Sequence, residues 1–494
     1  MRFFILFFPL FLIAKNLDLG FLLTKPKSYV RDFYLTEYMK RTKNPALVFK
    51  AYNGLYKKRL LHQKILSKFD FYKEIYKCIN PSPKDVGKIP VACILENGLS
   101  LYSLSKLSKK ELRRIYNSLP KSVEKKIIYI FLNKRYDLIF KDRKVAYQFI
   151  HKYPYRVIDQ RINDFSLFYG RGFLGFVKSI VLHPLPKLQV SLRKLDYKIF
   201  SDKTKWWLFI NEMNFKDYKR AFDILKSFKH KKDREYFWLW LLSKDKKYLN
   251  RLLKYKRATF YTLYAYEEAG KKFKIVNKII KKDIKNPKYD QTNPWSVLKF
   301  YSRLKKGRLK DLAKEVDSYK SEALKALVLD RLYGYSKNIF ITPKMYEDKN
   351  ATFRAFVYAI ARQESKFIPA SVSPSYALGA MQMMPFLVKS MGGDVFGQFD
   401  YSENVKLSAK HQKRLFRVLK DPLMVAYAYN AGAGFVKRKV LPYFKYKGEF
   451  EPFLSMEKIR YDETREYGKR VLRNFVIYSE IFSSPITLHK LLQK

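Results

Sequence analysis

The sequence predicts an all-α protein: a long helical N-terminal region followed by a separate C-terminal domain. Three observations lead there. Apolar residues between about 28 and 335 recur at helical spacing, and strand-like alternation with turn signals is scarce. The periodic stretches are short and follow one another in pairs, as in a solenoid or superhelix. Near residue 340 the register changes, with more Gly, Ser and Ala and less charge. A chain of 494 residues is also too long for a single core.

At the N-terminus, Met1 and Arg2 precede an apolar run from Phe3 to Ala14, broken by Lys15. The run is shorter than the roughly 20 residues that span a bilayer. A basic start and a short apolar stretch have the form of a secretory signal. Leu12 sits where a small residue suits cleavage, so a retained anchor stays open for residues 1–20. Either reading places the body of the protein outside the cytoplasm, in the periplasm, with a possible membrane or outer-envelope association.

Residues 21–270 are expected to form the α-superhelical domain and 271–340 a helical linker domain. Lys106 to Leu119 reads as one helix, closed by Pro120, and Glu124 to Phe131 as the next. Arg220 to Phe228 and Arg234 to Ser243 read as a pair. Thr259 to Ala269, capped by Gly270, places aromatics and Ala on one stripe and reads as helix–helix core. No fixed repeat length emerges. Cys78 and Cys93 are the only cysteines, too few for a metal or redox framework; one local bridge and two buried thiols both fit. The six histidines lack metal-ligand spacing, and no cofactor or metal is expected.

The formal charge of +57 draws the chain toward polyanions, with ordinary lysine-coated helix faces as the competing reading. Most of the excess precedes residue 341. No nucleic-acid-binding motif accompanies it, so nucleic acid is not an expected partner.

Residues 341–485 form the expected catalytic domain. Thr352 to Glu364 reads as a helix with Phe353, Phe356, Val357 and Ile360 on one apolar face, and Glu364 continues that stripe. A carboxyl on the buried side of a helix is costly to ionise, which suits a general acid. A solvated glutamate at a helix end is the plainer alternative for an isolated Glu-Ser pair. Here Ser365 follows, then the polar loop Ser371 to Ser375, then Leu378 to Pro385. Gly379 permits close backbone approach, and Gln382 offers both a donor and an acceptor to a sugar. Ala428-Tyr429-Asn430-Ala431-Gly432 ends an apolar helix, and Glu463-Thr464-Arg465-Glu466-Tyr467 comes last.

Together these residues resemble the soluble lytic murein transglycosylases, a branch of the goose-type lysozyme superfamily. Gln363-Glu364-Ser365, Ser373, Gly379-Ala380-Met381-Gln382 with Pro385, Asn404, Ala428 to Gly432 and Glu463 to Tyr467 match that family's motifs in order and spacing. Ala380 stands where Leu is usual and Tyr376 where Gly is usual. The resemblance is firm from about 345 to 482.

It implies a superhelical, ring-like N-terminal region and a lysozyme-like catalytic domain. It also implies cleavage of peptidoglycan glycan strands by one glutamate, Glu364, acting as acid and then base. Ser373, Met381, Gln382, Tyr429 and Asn430 would bind substrate, with Glu463 lining the cleft. For Glu463 an ion pair with Arg465 or Arg470 is the competing reading. A muramidase on the same fold and a non-catalytic wall-binding scaffold are the rival functions. The resemblance does not extend to exo- or endo-action or stem-peptide preference.

Overall fold

The structure is a computed structural model that describes residues 17–79, 107–135, 173–183, 185–279 and 287–493, with a few isolated positions between them. The signal or anchor segment lies outside the described residues. Regular structure among those described is helical; the rest consists of isolated bridges such as Val372 with Leu378 and Leu378 with Met383. The chain is all-α, as its periodicity implies. No described helix is long and apolar enough to cross a membrane.

Two compact units emerge, one of residues 58–231 and one that combines 1–57 with 232–494. The first holds successive helix pairs. Helix α1 (Lys109–Ser118) packs on α2 (Val123–Asn133), and α3 (Asp202–Asn214) on α4 (Tyr218–Lys226). Sequence reading started the first of these three residues early. The helix begins where Ser108 and Glu111 form a reciprocal capping box, Ser108 Oγ accepting from the Glu111 amide and Glu111 accepting from the Ser108 amide. In the same unit Cys78 and Cys93 form a disulfide with their Cα atoms 5.3 Å apart, which settles between bridge and thiols.

The second unit contains the candidate site. Helix α5 (Asp233–Ser243) and α6 (Phe260–Glu268) pack together, with the Phe237 ring 5.2 Å from Tyr261. Helix α7 (Ala351–Glu364) is started by Asn350, whose side chain accepts from the Phe353 amide at 2.9 Å. On its apolar face Phe356, Val357 and Ile360 have no exposed surface, and Phe353 is half-buried. Helix α8 (Tyr401–Leu419) starts from Asp400, and α9 (Pro422–Ala431) from Asp421. Helix α10 (Asp462–Ile481) runs along α7 and α9.

These contacts follow from residue size. Gly468 on α10 faces Tyr427 on α9, where a Cβ would come within 2.3 Å of the ring, so only glycine lets the helices approach this closely. Phe356 meets Phe475 edge-on at 5.3 Å, and buried Asn474 donates to the Ala359 carbonyl at 3.1 Å. The segment entering the domain is tied down by two tyrosines, Tyr358 donating to the Pro343 carbonyl and Tyr478 to that of Ile341. On the far side of α10, buried Lys469 donates to Glu457 at 2.7 Å and to the Tyr261 hydroxyl at 2.8 Å, linking α10 to α6.

Candidate active site

Helix α7 delivers Glu364 as its last residue. Ser365 caps the helix, and Lys366 and Phe367 then take left-handed conformations (φ 56° and 69°) that turn the chain away. Ser365 is buried, and its hydroxyl donates to the Ala380 carbonyl at 2.8 Å, fixing the end of α7 to the Gly379 loop. Small Ala380 is itself fully buried.

Glu364 lies in an apolar setting with one strong partner: the Tyr467 hydroxyl on α10 donates to its Oε1 at 2.5 Å. Burial pushes the carboxyl up to about 8. The Tyr467 hydrogen bond pulls it down and the Glu463 carboxylate raises it further, both more weakly. The side chain is therefore a proton donor at neutral pH. Sequence reading quoted Tyr467 within its motif but gave it no role. The available signal was spacing: Tyr467 lies one helical turn beyond Glu463 and Thr464.

The Gly379 loop forms the second wall. Gly379 (φ 79°) lies so close to the Gln398 carbonyl and the Asn404 side chain that a Cβ would come within 2.5 Å of both. Asn404 is fully buried; it accepts from the Met381 amide at 2.8 Å and donates to the Leu378 carbonyl at 3.3 Å and to Gln398 at 2.9 Å. It lies in the first turn of α8, which Asp400 caps. Gln382 (φ 49°) donates through Nε2 to the Gly379 carbonyl at 2.8 Å and leaves Oε1 unpartnered among the described residues. Ser373 accepts through Oγ from the Ala377 amide at 2.9 Å and the Ser375 amide at 3.2 Å, which shapes the turn. Tyr376, where Gly is usual in the resembled family, holds φ 67°; its ring is buried against Phe33, which offsets the backbone cost.

Two of the expected substrate contacts, Met381 and Tyr429, are joined to each other. The Met381 side chain is fully buried and its carbonyl accepts the Tyr429 hydroxyl at 2.7 Å, so Met381 supports the wall from within. The Tyr429 hydroxyl is also engaged, accepting from Ser408 at 2.8 Å, while Gln412 donates to Ser408 at 3.1 Å. Asn430 donates weakly to Glu463 at 3.4 Å and accepts from Thr464 at 2.7 Å. Glu463 is exposed and pairs with neither Arg465 nor Arg470; Arg465 instead pairs with Asp462. The site is thus a half-buried carboxyl with a raised pKa, set beside a tyrosine donor and near a loop of oriented amide groups, an arrangement suited to a general acid acting on a polar ligand.

Residues 342–449 match the family model described as the transglycosylase SLT domain, a span that includes Glu364, Ser373, Gln382, Tyr429 and Asn430. Residues 342–449 thus carry a transglycosylase SLT domain. Among solved structures it is similar to an inactive variant of the lytic transglycosylase Slt from Pseudomonas aeruginosa, at 16% identity over 97% of this chain and 89% of that one, TM-score 0.48. It is similar to the 70 kDa soluble lytic transglycosylase of Escherichia coli at 15% identity over 98% and 87%, TM-score 0.45. A complex of the 70-kDa soluble lytic transglycosylase with bulgecin A matches at 14% identity over 98% and 85%, TM-score 0.46.

Proposed function

We propose that the chain cleaves the β-1,4 bond between N-acetylmuramic acid and N-acetylglucosamine and leaves 1,6-anhydromuramyl ends. The observation that carries this reading is Glu364, a carboxyl held protonated at neutral pH by burial, with Tyr467 as its hydrogen-bond donor. Glu364 gives its proton to the glycosidic oxygen as the bond to muramyl C1 breaks. The muramyl N-acetyl group stabilises the cationic C1. Glu364, now a carboxylate, takes the proton of the muramyl C6 hydroxyl as that oxygen bonds to C1. No water is consumed and the glutamate ends as it began. The internal hydroxyl gains from high effective molarity.

Within this scheme Gln382 Oε1 faces an amide or hydroxyl donor of the sugar, and Asn430 and Glu463 line the rim of the cleft. Ser373 shapes the lip beside Gln382. Met381 and Tyr429 act one layer behind as positioning residues. Action outside the cytoplasm, in the periplasm, accords with the Cys78–Cys93 disulfide, since such bonds persist in oxidising compartments.

The test is a digest of purified sacculi with mass analysis of the products. Muramyl ends lighter by one water support the proposal; mainly reducing ends make the enzyme a hydrolase. Glu364→Gln keeps the shape of the side chain and removes the acid, so it should abolish nearly all release while folding is retained. Turnover like that of the wild type in this variant would remove Glu364 from its role.

A further inference from the structure

Beyond the site, four cations gather around two aromatic rings near the C-terminal end of α7. Arg362 lies with its guanidinium 3.8 Å from the Phe340 ring centre, and Arg473 approaches the same ring at 5.8 Å. Arg257 and Lys366 share the Tyr335 ring, at 4.6 and 6.0 Å. Asp330 opposes this positive charge; it pairs with Arg362 at 3.4 Å, and among the described residues its other oxygen has no partner. Lys366 has neither a hydrogen bond nor an ion pair among the described residues, and it is partly open to solvent.

The arrangement is held by the scaffold. Asn338 accepts from the Ala258 amide at 2.8 Å and donates to the Lys256 carbonyl at 2.9 Å, gripping the backbone on both sides of Arg257. Arg473 donates to the Ala258 carbonyl at 3.3 Å. The Tyr335 amide donates to the Asp330 carbonyl at 2.7 Å, so the residue whose ring carries Lys366 and Arg257 is tied to the helix that carries Asp330. Four preorganised cations around one acid leave room for a further negative charge. Burial first, and then Arg362, Arg473 and Arg257, pull the Lys366 ammonium down to about 7, against the opposing pull of Asp330. Such repulsion is relieved by an anion.

We propose that Arg257, Arg362, Lys366 and Arg473 form a binding site for a carboxylate, the group that the peptide stems of the glycan present to the enzyme. Guanidinium groups suit carboxylates through paired N–H donors, and Lys366 adds a point charge. Lys366 follows Glu364 by two residues, so the cluster begins at the same end of α7 as the acid. Only the source of the carboxylate rests on the peptidoglycan reading; the anion site itself does not.

The test is calorimetric titration of the full chain with a short peptide bearing two free carboxylates, the same peptide with both amidated, and inorganic phosphate. The variants are Lys366→Met with Arg257→Met, and Arg257→Gln alone, whose side chain is exposed. A variant of two exposed lysines elsewhere, Lys246→Met with Lys271→Met, controls for net charge. The free-carboxylate peptide should bind the wild type and the control alike. It should bind the double variant about tenfold more weakly or worse, the scale of one or two charged hydrogen bonds. Arg257→Gln should fall between. Equal binding by the double variant, equal binding of the amidated peptide, or phosphate binding as tightly as the peptide would each overturn the assignment. Stem-free glycan should be cleaved equally by the wild type and the double variant. Failure of both to cleave it would count against the proposed function and leave the titration result standing.

Discussion

The Tyr467 hydroxyl donates to Glu364 Oε1 across 2.5 Å, joining the end of α7 to the first turns of α10. This bond works against the burial that keeps Glu364 protonated. Glu463, one turn earlier on α10, works with it. One helix thus carries both adjusters of the acid, with opposite sign.

That opposition predicts two shifts in the pH profile. The proposed function requires protonated Glu364, so the rate should fall on the alkaline side near its value of about 8. Tyr467→Phe removes the bond that favours the carboxylate and should move this limb to higher pH. Glu463→Gln removes the nearby negative charge and should move it to lower pH. Rate profiles of the three proteins between pH 5 and 10 check the signs; shifts in the same direction would contradict the arrangement.

Stability should show the same carboxyl. In the folded chain Glu364 stays protonated up to about pH 8, whereas its ordinary value is 4.5. Between these values the folded state binds more protons than the unfolded one, so this group's contribution becomes increasingly unfavourable as pH rises. Glu364→Gln removes that cost. The variant should match wild type near pH 4 and exceed it by roughly 2–4 kcal/mol above pH 8, allowing for partial contact with solvent. Thermal melts at pH 4.5 and 8.5 provide the comparison. No difference between the two pH values would mean that Glu364 is not desolvated.

Gly468 predicts a packing effect. A methyl there would meet the Tyr427 ring at 2.3 Å and Leu423 at 2.8 Å, so α9 and α10 must separate to admit it. Gly468→Ala should destabilise by about 1–3 kcal/mol. It should also lower activity, because α10 carries Tyr467 and Glu463. A melting temperature equal to wild type would show that the helices separate without cost.

Much of this was readable from the sequence, because the apolar stripe of α7 fixes where Glu364 points, and Asp400 and Gly432 mark helix ends by ordinary capping chemistry. Asp394 accepts from the Gly397 amide at 2.9 Å, the turn contact its residue type favours. What the sequence did not reveal depends on long-range partners. Tyr467 lies 103 residues from Glu364, and nothing local marks it as the donor. Met381 and Tyr429 stand in motifs that suggest contact with a ligand. The hydrogen bond between them arises only when α9 meets the Gly379 loop. The cation cluster of Arg257, Arg362, Lys366 and Arg473 likewise draws on three distant segments, each an ordinary basic stretch by itself.

Tyr429 offers the most discriminating test of positioning. Its hydroxyl donates to the Met381 carbonyl at 2.7 Å and lies 3.5 Å from the Met383 sulfur, so it touches the residues on both sides of Gln382. Gln382 itself sits in a left-handed conformation that needs such support. Tyr429→Phe removes one oxygen and little volume. It leaves the buried Met381 carbonyl and the Ser408 hydroxyl short of a partner, at a cost of about 1–3 kcal/mol in stability. Gln382 is then held less firmly against the sugar. Orientation matters most in the transition state, so kcat should fall while KM changes little. The end group should not change, because Glu364 and the internal C6 hydroxyl are untouched. Supplying Tyr429→Phe with excess substrate should therefore fail to restore the rate, and mass analysis should still show anhydro ends. A rise in KM at constant kcat would instead place the Tyr429 hydroxyl in direct contact with the ligand.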